Sequence, residues 1–315
     1  MKKKILYSLL MIVVLINIVA YNHAYQFSHF TTGYTEKTKK PEELSLRNKL
    51  NVLFFGISNP KPINEKIPRR KFETLRIKTH HNYTLDIWYL NVPDSHGTVI
   101  LFHGYTGKKS DLLTEANIFN ELGYNAVLVD FYGSGDSDGS ETTVGYFEAQ
   151  DVVKVYEYIK NQNEENIILY GPSMGAVSIA HALAKYGIKP SAIIMECPYG
   201  KLLTTVKNRF DIMGVPSIGF AELLVFWGGV QNGYWGFSMN TIEFAKEIEV
   251  PTLVMHGQDD NRANLEEVEE IYHNLKGRKQ LKVFKGTKHE SYLKKFPIEW
   301  KKEIVDFLND ETKTI

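Results

Sequence analysis

Ile167-Ile168-Leu169-Tyr170-Gly171-Pro172-Ser173-Met174-Gly175-Ala176 is the stretch on which the reading of this chain turns. Four apolar residues run into a glycine-flanked serine, and helical spacing follows over 176–186. Continuous apolar positions mark a strand buried on both faces. A serine in Gly-x-Ser-x-Gly between such a strand and a helix sits in a strained turn. Its flanking glycines let backbone segments come close, and the helix N-terminus turns its amides toward any charge that develops there. Ser173 is therefore the candidate nucleophile.

The same alternation repeats outward. Apolar runs at 98–102, 126–130, 192–196, 252–256 and 280–284 read as further strands buried on both faces, with helical spacing over 143–160 and 265–275. Strand and helix in alternation predict an α/β fold, a mostly parallel twisted sheet with helices on both faces. Ahead of it, 72–79 and 84–92 alternate apolar and polar residues, which predicts an antiparallel pair.

Chemistry in such a sheet belongs at the carboxyl ends of the strands. His103-Gly104-Tyr105-Thr106-Gly107 ends one of them. Its turn can offer the Tyr105 amide, which with the Met174 amide would form an oxyanion hole; the plainer reading is a glycine-rich turn. His103 is expected to brace that loop rather than move protons. His256-Gly257-Gln258-Asp259-Asp260 and Gly286-Thr287-Lys288-His289-Glu290 end two later strands. A serine hydroxyl is a poor nucleophile until a neutral imidazole takes its proton, and a carboxylate must then hold the imidazole in one tautomer. His289 is the candidate base. Asp260, Asp259 and, from another strand end, Glu196 are candidates for the acid.

At these residues the chain resembles the α/β-hydrolase superfamily over about residues 70–310. It is most similar there to the branch of serine aminopeptidase-like, monoacylglycerol-lipase-like and capless depalmitoylase-like hydrolases. The His-Gly turn, the serine elbow, a His-Gly-x-x-Asp acid and a late histidine carry the resemblance. It implies the order Ser173, Asp260, His289, with the acid at the later aspartate. The turn Asp130-Phe131-Tyr132-Gly133-Ser134-Gly135-Asp136-Ser137 also has its counterpart in these proteins, with an arginine in many of them where Tyr132 stands here.

That turn is not a cofactor loop. Gly133-Ser134-Gly135 lacks the third glycine of a dinucleotide fingerprint, and Asp136 with Asp138 lacks the remaining oxygens of a calcium loop. Cys197 is the only cysteine, which excludes an intrachain disulfide and a thiolate-rich metal site. No cofactor and no metal is expected. Lys+Arg and Asp+Glu are both 37, so the chain lacks the basic excess of a nucleic-acid binder.

The N-terminus carries a different signal. Lys2-Lys3-Lys4 precedes an apolar run from Ile5 to Tyr21, broken only by Ser8 and Asn17. The run is longer than a usual signal-peptide core, and Tyr21-Asn22-His23-Ala24 supplies only one of the small residues that cleavage wants. An uncleaved signal anchor over 1–24 is the favoured reading, with the lysines cytoplasmic and the rest outside; cleavage would make the protein secreted. Residues 25–69 read as a tether with Pro41, Pro60, Pro62 and Pro68 and one short helix over 44–55, and 70–312 as the hydrolase domain.

Residues 198–247, before the acid strand, form a small insertion rich in apolar side chains, such as Leu223-Leu224-Val225-Phe226-Trp227. It reads as a cap over an acyl-binding cleft or as helices packed on the sheet. The expected activity is cleavage of ester or thioester bonds in a small-molecule or lipid acyl substrate, through an acyl-enzyme. A serine aminopeptidase-like peptidase is the enzymatic alternative, and a membrane-anchored binding protein retaining the fold is the alternative of another class.

Overall fold

The computed structural model describes residues 2–33, 35–39, 43–79 and 82–312. Met1 at the start of the expected anchor and Pro41 in the tether lie outside them. The chain begins with α1 (Lys2–Ser28) and α2 (Leu46–Phe55), followed by β1 (Glu73–Lys78), β2 (Thr84–Leu90) and β3 (Thr98–Phe102). Next come α3 (Leu113–Glu121), β4 (Asn125–Val129), α4 (Glu148–Lys160), β5 (Ile167–Pro172), α5 (Met174–Tyr186) and β6 (Ala192–Glu196). The insertion holds α6 (Leu202–Met213), α7 (Phe220–Asn232) and α8 (Thr241–Ala245). The chain finishes with β7 (Thr252–Gly257), α9 (Leu265–Asn274), β8 (Lys279–Phe284), α10 (Tyr292–Lys295) and α11 (Pro297–Thr312).

The strands form one sheet in the order β1-β2-β4-β3-β5-β6-β7-β8. β1 and β2 pair antiparallel with each other, β2 runs antiparallel to β4, and every other pair is parallel. Successive side chains of each strand go to opposite faces. Ile100, Phe102, Leu169 and Met195 meet α4, α5, α8 and α9 on one side; Leu101, Tyr170, Ile194 and Met255 meet α3, α10 and α11 on the other. Burial on both faces is why these strands read as continuous apolar runs. β8 departs from that expectation: five of its six residues are only half-buried, because it is the sheet's edge.

Two boundaries also differ from the sequence reading. α4 starts at Glu148 rather than near Thr143. The Glu148 carboxylate accepts from the hydroxyls of Thr142 and Thr143 and the amides of Thr143 and Gly145, which folds 142–147 into a loop around it. α1 continues four residues past Ala24, to Ser28, because its last turns are packed against α7. Beyond α1 the arm is strapped to the glycine-rich turn. Phe30 N donates to Ser140 O, Gly135 N to Pro62 O, and Lys61 Nζ to the Ser137 and Gly139 carbonyls.

After β3 the chain moves to β4 on one side and then returns to β5 on the other. The crevice at such a reversal, above the carboxyl ends of the strands, is where this class of sheet leaves room for a ligand.

Candidate active site

Ser173 lies at that crevice with φ 51° and ψ −115°, a left-handed backbone that a side chain adopts only at a cost of about 1–3 kcal/mol. The glycines on either side are required by contact. A Cβ on Gly171 would lie 2.5 Å from the Gly175 carbonyl carbon, and one on Gly175 would lie 2.2 Å from the Phe102 carbonyl oxygen. The Ser173 amide donates to Glu196 O at 2.7 Å, which ties the elbow to β6.

The loop after β8 brings His289 over this hydroxyl. His289 Nε2 stands 3.1 Å from Ser173 Oγ, and Nδ1 stands 2.7 Å from Asp260 Oδ2. The other Asp260 oxygen accepts from the amides of Arg262 and Ala263 at 2.8 and 3.1 Å. Burial pushes the Asp260 carboxyl up, but the His289 hydrogen bond and charge, with those two amides, outweigh it and hold it below the ordinary value. Of the three acid candidates, only Asp260 is joined to the imidazole. Asp259 is exposed. Glu196 is buried and accepts from Tyr170 Oη, Trp300 Nε1 and the Tyr292 amide, a knot between β5, β6, α10 and α11.

Met174 opens α5, so its amide is among the helix's unpaired first donors. The turn after β3 lies against the elbow: a Cβ on Gly104 would sit 3.4 Å from Pro172 O and 3.6 Å from Ser173 Cβ. Tyr105 follows directly. His103 is buried, accepts from the Phe131 amide through Nε2 at 3.2 Å, and pairs Nδ1 with Gly104 O at 2.8 Å. It braces the loop, and burial lowers its pKa.

Two cavities meet at the serine. Gly104, Ser173 and His289 line both. The larger, about 620 Å³, is walled mainly by apolar residues of α1, α6 and α7, among them Ala24, Val206, Phe210 and Leu224. The smaller, about 220 Å³, has Asp111, Glu115, Glu196 and Lys294 in its wall. Burial, with the nearby Glu196 charge, raises the Glu115 carboxyl to about 7.

Asp136 and Asp138 serve neither cavity. The carboxylates of Asp86, Asp130 and Asp136 lie within 4.8 Å of one another, the spacing of a metal cage. Lys109 Nζ stands among them at 2.8, 2.6 and 2.8 Å, so a buried ammonium already fills the cation's place. Asp138 accepts from the Thr84 amide. Tyr132 packs on Tyr83, with ring centroids 4.3 Å apart, and lines neither cavity.

Sequence reasoning missed the cavity wall supplied by His23, Ala24 and Phe27 of the N-terminal helix. Asn17, one of two polar residues in the apolar run, was the available signal: Trp227 Nε1 of α7 donates to its side chain at 3.2 Å.

The Hydrolase_4 family, described as serine aminopeptidase S33, matches residues 93–217, a span that includes Ser173 and both oxyanion candidates but neither Asp260 nor His289. The uncharacterized protein YqkD of Bacillus subtilis is 26% identical over 246 residues, covering 75% of this chain and 80% of that protein. Lysophosphatidylserine lipase ABHD12 of Danio rerio is 26% identical over 189 residues, 55% of this chain; the chain spans only 46% of that lipase. An esterase of Pyrococcus furiosus superposes with a TM-score of 0.67 at 25% identity, covering 80% of this chain and 96% of the esterase. These likenesses place the chain in the α/β-hydrolase superfamily.

Proposed function

We propose that this α/β-hydrolase is a membrane-anchored serine esterase that cleaves carboxylic ester or thioester bonds of acyl substrates through Ser173, His289 and Asp260. The observation that carries the reading is the continuous hydrogen-bonded line from Ser173 Oγ through the imidazole to the buried Asp260 carboxylate. His289 Nε2 takes the hydroxyl proton as Oγ attacks the carbonyl carbon. The tetrahedral oxyanion lies between the Tyr105 and Met174 amides, aimed where the charge develops. Collapse expels the alcohol or thiol, which leaves with the proton from Nε2, and the acyl group stays on Oγ. A water molecule, deprotonated by the same imidazole, then frees the acid and restores the serine. Asp260 keeps Nδ1–H facing it and balances the imidazolium charge.

The cavities suit this division. The apolar one is large enough for an acyl chain, and the smaller suits the leaving group. Residues 70–312 form the catalytic domain in this reading, 198–247 its small cap, and α1 its anchor, with Lys2–Lys4 on the cytoplasmic side and the catalytic domain outside.

Two measurements test it. A fluorophosphonate probe should label wild-type protein and not Ser173→Ala, which should lose roughly 10⁴-fold or more of kcat on p-nitrophenyl esters. Asp260→Asn should lose a comparable factor, while Asp259→Asn stays within about threefold, since it is solvated and away from the imidazole. Turnover that survives Ser173→Ala would overturn the assignment. The serine aminopeptidase description of the matched family and the carboxyls of the smaller cavity keep a peptidase as the second reading, and faster cleavage of aminoacyl anilides than of esters would establish it.

A further inference from the structure

α1 is two segments in one helix. Apolar side chains from Ile5 to Ile18 are exposed, whereas Ala20, His23, Ala24 and Ser28 are buried. The docked part lies along α7. Trp227 Nε1 donates to Asn17 Oδ1, Gln231 Nε2 donates to Tyr21 O at 2.8 Å, and the Tyr21 and Trp227 rings meet edge-on at 5.4 Å. Ala24 lies against Gly228, where an added Cβ would be 4.0 Å from its own, a small-residue contact that brings the helices close enough to share one wall.

That wall faces the larger cavity. His23, Ala24 and Phe27 line it opposite Ser173 and His289. The end of α1 also holds the oxyanion turn. The last carbonyls of a helix have no partner within it, and the Phe27 carbonyl finds one in Tyr105 Oη, which donates to it at 2.7 Å. Asn59 Nδ2 of the arm donates to the same hydroxyl at 3.0 Å, and the Arg209 guanidinium lies 5.7 Å from the Phe27 ring and 5.4 Å from the Tyr105 ring.

We propose that the last turns of α1 are a working part of the catalytic site: they wall the acyl-binding cavity and position the oxyanion turn, so that the enzyme takes a lipid acyl chain entering from the bilayer beside α1 and α7. This rests on the esterase reading above. Its distinct content is that the anchor sets chain-length preference and turnover. Tyr105 acts here as a positioning residue through its side chain, apart from any role of its amide.

The test uses the full chain in lipid nanodiscs, with p-nitrophenyl butanoate and dodecanoate as substrates. Ala24→Phe adds bulk to the wall and should lower kcat/KM for dodecanoate at least tenfold relative to butanoate, since each methylene in a tight apolar pocket weighs heavily. Phe27→Ala removes bulk and should move the same ratio the other way, a reversal that misfolding cannot imitate. Tyr105→Phe keeps ring and amide but loses the hydroxyl; kcat should fall on the order of tenfold on both esters with KM within about twofold, as slight misplacement of a donor does. If Ser173 is labelled and both esters turn over, yet all three variants match wild type, α1 is a tether only and the inference is overturned. If Ser173 is never labelled, the esterase reading itself fails, and this inference with it.

Discussion

At the scale of single residues, the site is built from positions that cost energy. Ser173 holds a left-handed backbone conformation, as do Thr106 next to the oxyanion candidate and Cys197 after β6. Gly-x-Ser-x-Gly announced the first of these, because only glycines survive a 2.2 Å approach of backbone to a missing Cβ. Spacing alone does not separate Asp259 from Asp260, since both follow the same strand; the resemblance favours the later one, and that is the carboxylate the returning β8 loop meets. Glu115 was invisible for a related reason. It sits on α3 among ordinary helix formers, and only the fold buries it beside Glu196. Its carboxyl is raised to about 7, above an unfolded value near 4.5, so the folded state holds the proton longer than the unfolded one. That contribution to stability is intact below about pH 4.5 and is lost as the pH rises through about 7. Glu115→Gln should therefore leave the melting temperature little changed at pH 5 and raise it at pH 8, by the equivalent of about 3 kcal/mol. Equal shifts at both pH values would contradict the assignment.

At the scale of elements, the sheet was legible because burial on both faces writes apolar runs, and the helices because α4 and α9 bury one stripe each while α5 is buried all round from Met174 to Leu183. The connections were not. The turn over 130–138 carries glycines and aspartates that resemble a binding loop, yet its structure is a clamp. Lys109 Nζ joins Asp86 of β2, Asp130 after β4 and Asp136 of the turn, and Asn64 of the arm bridges the last two carboxylates at 2.8 Å each. Burial disfavours the ammonium, but the charge and hydrogen bond of Asp130 outweigh it, so the lysine stays protonated. Removing one partner strands buried charge. Lys109→Met should destabilise the domain by about 3–5 kcal/mol in denaturant unfolding. A loss under about 1 kcal/mol would mean the clamp contributes nothing.

At the scale of the whole molecule, the 27-residue α1 has a mean hydropathy of 2.2 over its most apolar window, and only 6% of that window is buried. At 1.5 Å per residue the whole helix is about 40 Å long, more than the roughly 30 Å hydrocarbon core of a bilayer. Trp235, Phe226 and Val230 are exposed near its base, where amphipathic rings meet headgroups. The full chain should remain with membranes through an alkaline wash, and Leu10→Arg with Val14→Arg should release it, each arginine costing roughly 2.5–3.5 kcal/mol at the bilayer centre. A mature protein beginning after Ala24 would refute the anchor, since cleavage there would cut a buried turn out of the cavity wall. The sequence by itself determined the strands, the serine elbow and the apolar leader, because each is written in local spacing that backbone geometry alone demands. Only the tertiary structure decided that a lysine occupies the acidic cage and that the N-terminal helix returns to wall the larger cavity beside Ser173. Those facts depend on contacts between residues up to about two hundred positions apart, such as Asn17 with Trp227, and no local pattern encodes such a meeting.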